Sequence, residues 1–124
     1  MGLGRRSLAS SGAAGAVLLG AVLCTAGARA QTDEQRAGAR AAANAGGKAF
    51  QEQRWSDAVD MFTRAESVVH SPVQLLYLAR SYEKLNRLVD AQETYIKITN
   101  EELAPNATPP IRQAKADAVK ELAA

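Results

Sequence analysis

The sequence predicts an all-α chain made of two consecutive antiparallel helical hairpins and a final helix. Two observations carry this expectation. From Leu75 to Ile98, apolar or small residues recur at helical spacing. They fall first at Leu75, Leu78, Ala79, Tyr82 and Leu85. After a polar break at Asn86-Arg87 they fall at Leu88, Ala91, Tyr95 and Ile98. An antiparallel αα-hairpin accounts for that layout. Moved back by 33 positions, the same stretch meets a second version of itself. Arg87 falls on Arg54, Asp90 on Asp57, Ala91 on Ala58, Tyr95 on Phe62, Leu88 on Trp55, Ala79 on Gly46 and Pro105 on Pro72. Small, aromatic and charged positions agreeing at one offset point to duplication of one supersecondary unit.

The first 30 residues are of another kind. Arg5 and Arg6 give a positive start, and Ala13 to Ala26 is apolar except for Gly15, Gly20 and Thr25. Ala28-Arg29-Ala30 then offers small residues at a cleavage position before Gln31. This is the layout of a secretory signal peptide over residues 1–30. An uncleaved membrane anchor is the alternative, although the run is shorter than the ~20 apolar residues a spanning helix prefers. Arg5-Arg6-Ser7-Leu8 fits a twin-arginine signal as well as an ordinary one. Cys24 follows Leu23, where a lipoprotein signal needs a small residue, so Cys24 reads as part of the discarded segment.

Export changes the charge. The whole chain is formally +2. Arg5, Arg6 and Arg29 leave with the signal, so 15 basic residues become 12 against an unchanged 13 acidic ones, a formal charge of −1. No basic stripe points to nucleic acid. Residues 31–124 contain no cysteine, which excludes a disulfide framework and thiol chemistry there.

Residues 31–38 read as a polar lead-in. Asp33 is a candidate N-cap, and an alanine-rich helix is expected from about Glu34 to Gln53. Gly46 and Gly47 each weaken an exposed helix by about 1 kcal/mol relative to Ala. Gly46 has a packing reason in the repeat, and Gly47 has none in the sequence. Arg54-Trp55-Ser56 reads as the turn, with Ser56 capping a second helix from Asp57 to Val69. Its apolar face is Ala58, Val59, Phe62, Ala65 and Val69, and Trp55 is expected in the core between units.

Ser71-Pro72-Val73-Gln74 is a helix start, with Pro72 at the first helical position. Gln74 is placed to complete a capping box by accepting the Ser71 N–H. The third helix is expected to reach Leu85, and the fourth to run from Leu88 to Asn100. Ala104 to Pro110 is a proline-bearing loop. Asn106-Ala107-Thr108 matches a glycosylation sequon, but a turn with a cap at Thr108 fits better. A last helix from Pro109 to Leu122 carries Ile111, Ala114, Ala118 and Leu122 on one face. It reads as a cap for the open end of a stack.

Two helices per unit with a period near 34 residues resemble the tetratricopeptide repeat (TPR) family across residues 39–105, divided at about 39–71 and 72–105. The second unit carries the resemblance best, with Leu75, Leu78-Ala79, Tyr82, Ala91 and Tyr95. The first supplies Ala42, Ala45-Gly46, Ala49, Ala58 and Phe62, with alanines where the pattern wants bulk. The resemblance makes Gly46, Ala58, Phe62, Ala79, Tyr82, Ala91 and Tyr95 the structural repeat positions. It implies a right-handed α-solenoid fragment, with residues 106–124 as the capping segment. It is nearest in character to exported TPR proteins of Gram-negative bacteria, of the myxobacterial type. There a β-rich domain often follows, so the chain is expected to be a shortened relative or a fragment.

TPR arrays hold peptides or proteins in a concave groove lined by the first helix of each unit. The resemblance therefore implies a protein-interaction adaptor or scaffold in the cell envelope, periplasmic or secreted after cleavage near Ala30. Candidate partner contacts are Arg40, Asn44 and Gln51 on the first unit, and Arg80, Glu83 and Lys84 on the second. The cations suit an acidic or C-terminal carboxylate ligand. A solvated polar face is the simpler reading of any one of them. Two repeats fall below the usual minimum of about three, so a homo-oligomer or a structural self-associating module is the alternative.

No catalytic constellation is present. His70 is the single histidine, so no histidine cluster can hold a metal. Asp57/Asp60 and Glu101/Glu102 read as solvated carboxylates. No phosphate-binding or nucleophile-elbow motif occurs. A non-enzymatic chain without cofactor or metal is expected. Membrane contact is expected only through the signal segment.

Overall fold

A computed structural model of the chain describes residues 23–124, with side chains from Thr32 onward. Among the described residues all regular secondary structure is helical, without strands. Five helices follow one another: α1 (Leu23–Gln51), α2 (Trp55–Glu66), α3 (Pro72–Lys84), α4 (Leu88–Asn100) and α5 (Pro109–Leu122). Most of the expected signal segment, with Arg5, Arg6 and the start of the apolar run, lies outside the described residues. Among the described residues no helix is long and apolar enough to cross a membrane.

Helix α1 extends through the expected cleavage position at Ala30 and through the lead-in 31–38. Asp33 therefore lies inside the helix and does not cap it. Its carboxylate pairs with Arg36 at 3.3 Å, one turn on. The alanine-rich sequence has no proline between Leu23 and Gln51, so nothing there stops the helix.

The two hairpins turn in the same way. Gln53 and Asn86 both have φ of 59°, in the left-handed region. The following residues, Arg54 and Arg87, also match, at φ −88°, ψ 74° and φ −89°, ψ 67°. The Arg54 N–H donates to the Ala49 carbonyl at 2.8 Å, and the Arg87 N–H donates to the Tyr82 carbonyl at 2.8 Å. Each arginine pairs with the aspartate three residues on, Asp57 or Asp90. The 33-residue offset thus relates backbone geometry as well as residue types.

This turn replaces the one expected at Arg54-Trp55-Ser56. Helix α2 starts at Trp55, with Arg54 and not Ser56 at its N-cap. It ends at Glu66, three residues before the expected Val69. The capping box at α3 is also absent. Ser71 is the N-cap, in extended conformation, but its hydroxyl makes no capping bond. The Ser71 N–H donates to Glu66 Oε2 at 3.0 Å. Glu66 from the preceding helix takes the role expected of Gln74. At α5, Thr108 is the N-cap, again without a side-chain bond.

Each helix packs on the next, and α1 also meets α3 and α3 meets α5. Helices α2 and α4 make no such contact with each other. Helices α1, α3 and α5 thus adjoin in succession, whereas α2 and α4 do not meet. The core runs through both hairpins: Ala58, Phe62, Leu75, Ala79, Ala91, Tyr95 and Ile98, with Ala114 and Ala118 from α5. Gly46 is required by its neighbour, because a Cβ there would meet the Phe62 ring at 3.0 Å. Gly47 differs, since a Cβ at that position meets nothing within 4 Å.

Aromatic rings tie the first hairpin to α3. Phe50 meets Trp55 and Tyr77 edge-on, each at 5.1 Å between centroids. Tyr77 stacks on Phe62 at 6.0 Å. Trp55 is half-buried at this corner, with the Lys84 ammonium 5.9 Å from its ring centre.

Candidate partner-binding cleft

The N-terminal half of α3 and the middle of α1 enclose a cleft of about 240 Å³. Arg36, Ala39, Arg40, Ala43 and Asn44 form its α1 wall, and Val69 and Gln74 form the other. The spacing explains the α1 wall. Arg36, Arg40 and Asn44 are four residues apart, so they lie along one helical stripe. Ala39 and Ala43 lie beside that stripe and leave room between the helices.

Three side chains in this cleft lack a protein partner among the described residues: the exposed Arg40 and Asn44, and Gln74. Among the described residues, Arg40 makes neither an ion pair nor a side-chain hydrogen bond. Gln74 Oε1 is buried and accepts no hydrogen bond. A buried acceptor left unmade costs about 1–3 kcal/mol. The cleft therefore offers a free cation, the amide side chains of Asn44 and Gln74, and an apolar edge at Val69. That set can accept a peptide N–H and hold a carboxylate.

The other candidates from the sequence are placed elsewhere. Gln51 is exposed at the last residue of α1. Arg80 is half-buried and already engaged by α5. Its Nε lies 3.1 Å from both Glu121 oxygens, and its Nη2 lies 3.4 Å from Asp117. The Tyr95 hydroxyl donates to Glu121 Oε2 at 2.7 Å. The Arg80 hydrogen bond holds the Glu121 carboxyl below the usual carboxylate range, and the Tyr95 bond adds to the effect. Burial first, and then the Glu121 carboxylate, push the Tyr95 phenol up. Arg80 thus ties α5 to the second hairpin.

Glu83 borders a separate cleft of about 240 Å³ with Leu88, Tyr95, Glu121 and Leu122. Lys84 is exposed, with its ammonium near the Trp55 ring at the other end of α3. The six sequence candidates thus do not form one site. Arg40 and Asn44 come together, and Gln74 and Arg36 join them. Arg36 could have been found by extending the four-residue stripe back one turn from Arg40. Gln74 has no such signal, because its burial depends on α1 crossing over it.

Among the described residues no group of three His, Cys, Asp or Glu side chains is placed to hold a metal ion. No family model, curated protein or solved structure matches the chain.

Proposed function

We propose that the chain is an exported TPR-type interaction module that receives a protein or peptide segment in the α1–α3 cleft, in the cell envelope after loss of residues 1–30. What carries this reading is the pairing of an unpartnered Arg40 with a buried, unpartnered Gln74 Oε1 across one cleft. The matching turns at Gln53 and Asn86 support the repeat resemblance on which the reading draws. The occupant is an extended segment with an acidic side chain or a terminal carboxylate. Its carboxylate meets Arg40, and its backbone N–H meets the exposed Asn44 amide, both on the α1 wall.

Affinity capture from envelope extracts tests this, with two charge-reversed controls. Arg40→Glu lies in the cleft. Lys97→Glu lies on α4, away from it. A partner retained by the wild type and by Lys97→Glu, and lost by Arg40→Glu, supports the reading. A partner kept by Arg40→Glu contradicts it.

A second reading is a self-associating helical module. Leu88, Val89 and Val119 favour it, being 60%, 69% and 52% exposed. It predicts thermal stability that rises with protein concentration, and Val89→Glu removes that dependence.

A further inference from the structure

His70 lies in the loop between α2 and α3, where three parts of the chain converge. Its Nδ1 meets Glu66 Oε1 at the end of α2. Its Nε2 lies 2.8 Å from Glu101 Oε2, just past the end of α4. The second Glu66 oxygen accepts the Ser71 N–H at 3.0 Å. Lys115 on α5 donates to the Glu101 carbonyl at 2.6 Å. Glu66, Glu101 and Lys115 are thus the charged groups that α2, α4 and α5 bring to this junction.

An ionised carboxylate can only accept, and a neutral imidazole carries one N–H. With a carboxylate oxygen at each ring nitrogen, a neutral ring would turn one lone pair toward an anion. The arrangement suits the imidazolium, which donates on both sides. Partial desolvation pulls the ring down, but the bonds to Glu101 and Glu66 outweigh it and hold His70 above its ordinary 6.5. The residue just before His70 is Val69, which lines the cleft described above, and Gln74 follows one turn into α3.

We propose that His70 is a proton-operated latch: as an imidazolium it fastens the α2–α3 loop to the end of α4 and fixes Val69 at the edge of the α1–α3 cleft, and loss of the proton removes one of its two bonds and loosens both. Protonation closes the latch, so the cleft wall is ordered on the acid side of the transition and loosened on the alkaline side. The bearing of the latch on ligand capture rests on the role proposed for the cleft. The latch itself does not.

An NMR titration of the full chain tests it, since His70 is the single histidine and its ring signals need no separation from others. The ring midpoint is expected above 6.5. The Val69 methyl signals are expected to move with the same midpoint. Exchange of the Ser71 amide is expected to speed up across it, beyond the intrinsic rise with pH. Glu101→Gln lowers the ring midpoint, and His70→Gln abolishes the pH dependence at Val69. A ring midpoint at or below 6.5 overturns the latch. So do Val69 and Ser71 signals that stay unchanged while the ring titrates. An Arg40→Glu variant that retains its partner overturns the cleft reading and leaves this titration unaffected, so the two fail separately.

Discussion

Gln53 and Asn86, 33 positions apart, share a backbone φ of 59°. Neither is glycine, yet each closes a hairpin at the residue where the chain must turn left-handed. That conformation costs an ordinary L-residue about 1–2 kcal/mol, and less for Asn, which tolerates it. Gln53→Gly is therefore expected to stabilise the protein by about 1 kcal/mol, and Asn86→Gly by less, both relieving the same strain. Urea denaturation of the two variants checks this. A loss of stability in either contradicts the shared turn.

Gly46 and Gly47 are expected to respond oppositely to alanine. At Gly47 the new methyl meets open space, and helix propensity alone acts, so Gly47→Ala gains up to about 1 kcal/mol. At Gly46 the methyl is pressed against the Phe62 ring at 3.0 Å. Overpacking of about 1–3 kcal/mol offsets or exceeds the propensity gain. The melting temperature should rise for Gly47→Ala and stay level or fall for Gly46→Ala. A rise for both would mean that the α1–α2 crossing is not closely packed.

The start of α3 depends on Glu66 more than on Ser71. Ser71→Ala removes a hydroxyl that makes no capping bond, so its cost should fall well below the ~1 kcal/mol of an ordinary cap. Glu66→Ala strips the acceptor from the Ser71 N–H and from His70. It should cost about 1.5–3 kcal/mol, in the range of hydrogen bonds to charged groups. Comparing the two by thermal unfolding near neutral pH decides the order.

Acid stability should depend on the Arg80–Glu121–Tyr95 cluster. The Glu121 carboxyl is held below its unfolded value by Arg80. Its contribution is therefore present above the unfolded carboxyl range and is lost as pH falls through the lower, folded value. Side chains of Arg80 and Glu121 are 27% and 29% exposed. Glu121→Gln should cost about 1–3 kcal/mol at neutral pH, for a charged hydrogen-bonded pair between surface and interior. The variant should lose less of its remaining stability on acidification below the carboxyl range. An acid profile parallel to the wild type would remove Glu121 from the cluster.

Much of the fold is legible in the sequence because its signals are local. Pro109 and Leu122 bound α5 where expected, and Leu88 and Asn100 bound α4. The 33-residue offset pairs like with like, Ala79 with Gly46 and Tyr95 with Phe62, and the hairpin sets the small residue Gly46 against the Phe62 ring. The misread starts share another cause. Asp33, Ser56 and Gln74 are each a correct residue type for a cap, but capping also depends on neighbours. Asp33 sits in a chain with no reason to stop being helical, and Gln74 is displaced by a carboxylate from α2. The site is legible only in part for the same reason. Arg40 and Asn44 are adjacent on one helix face, whereas the partner that occupies Arg80 is Glu121, 41 residues away.

A photoreactive side chain placed at Asn44 tests the role of the α1–α3 cleft most directly. Illuminated in the native envelope, the Asn44 probe is expected to cross-link to a protein partner, and the product should vanish when Arg40→Glu is added. A matched probe at Glu93, on α4, should not give that product. Cross-links of equal yield from both positions, or an Asn44 product indifferent to Arg40→Glu, would contradict a partner held in this cleft.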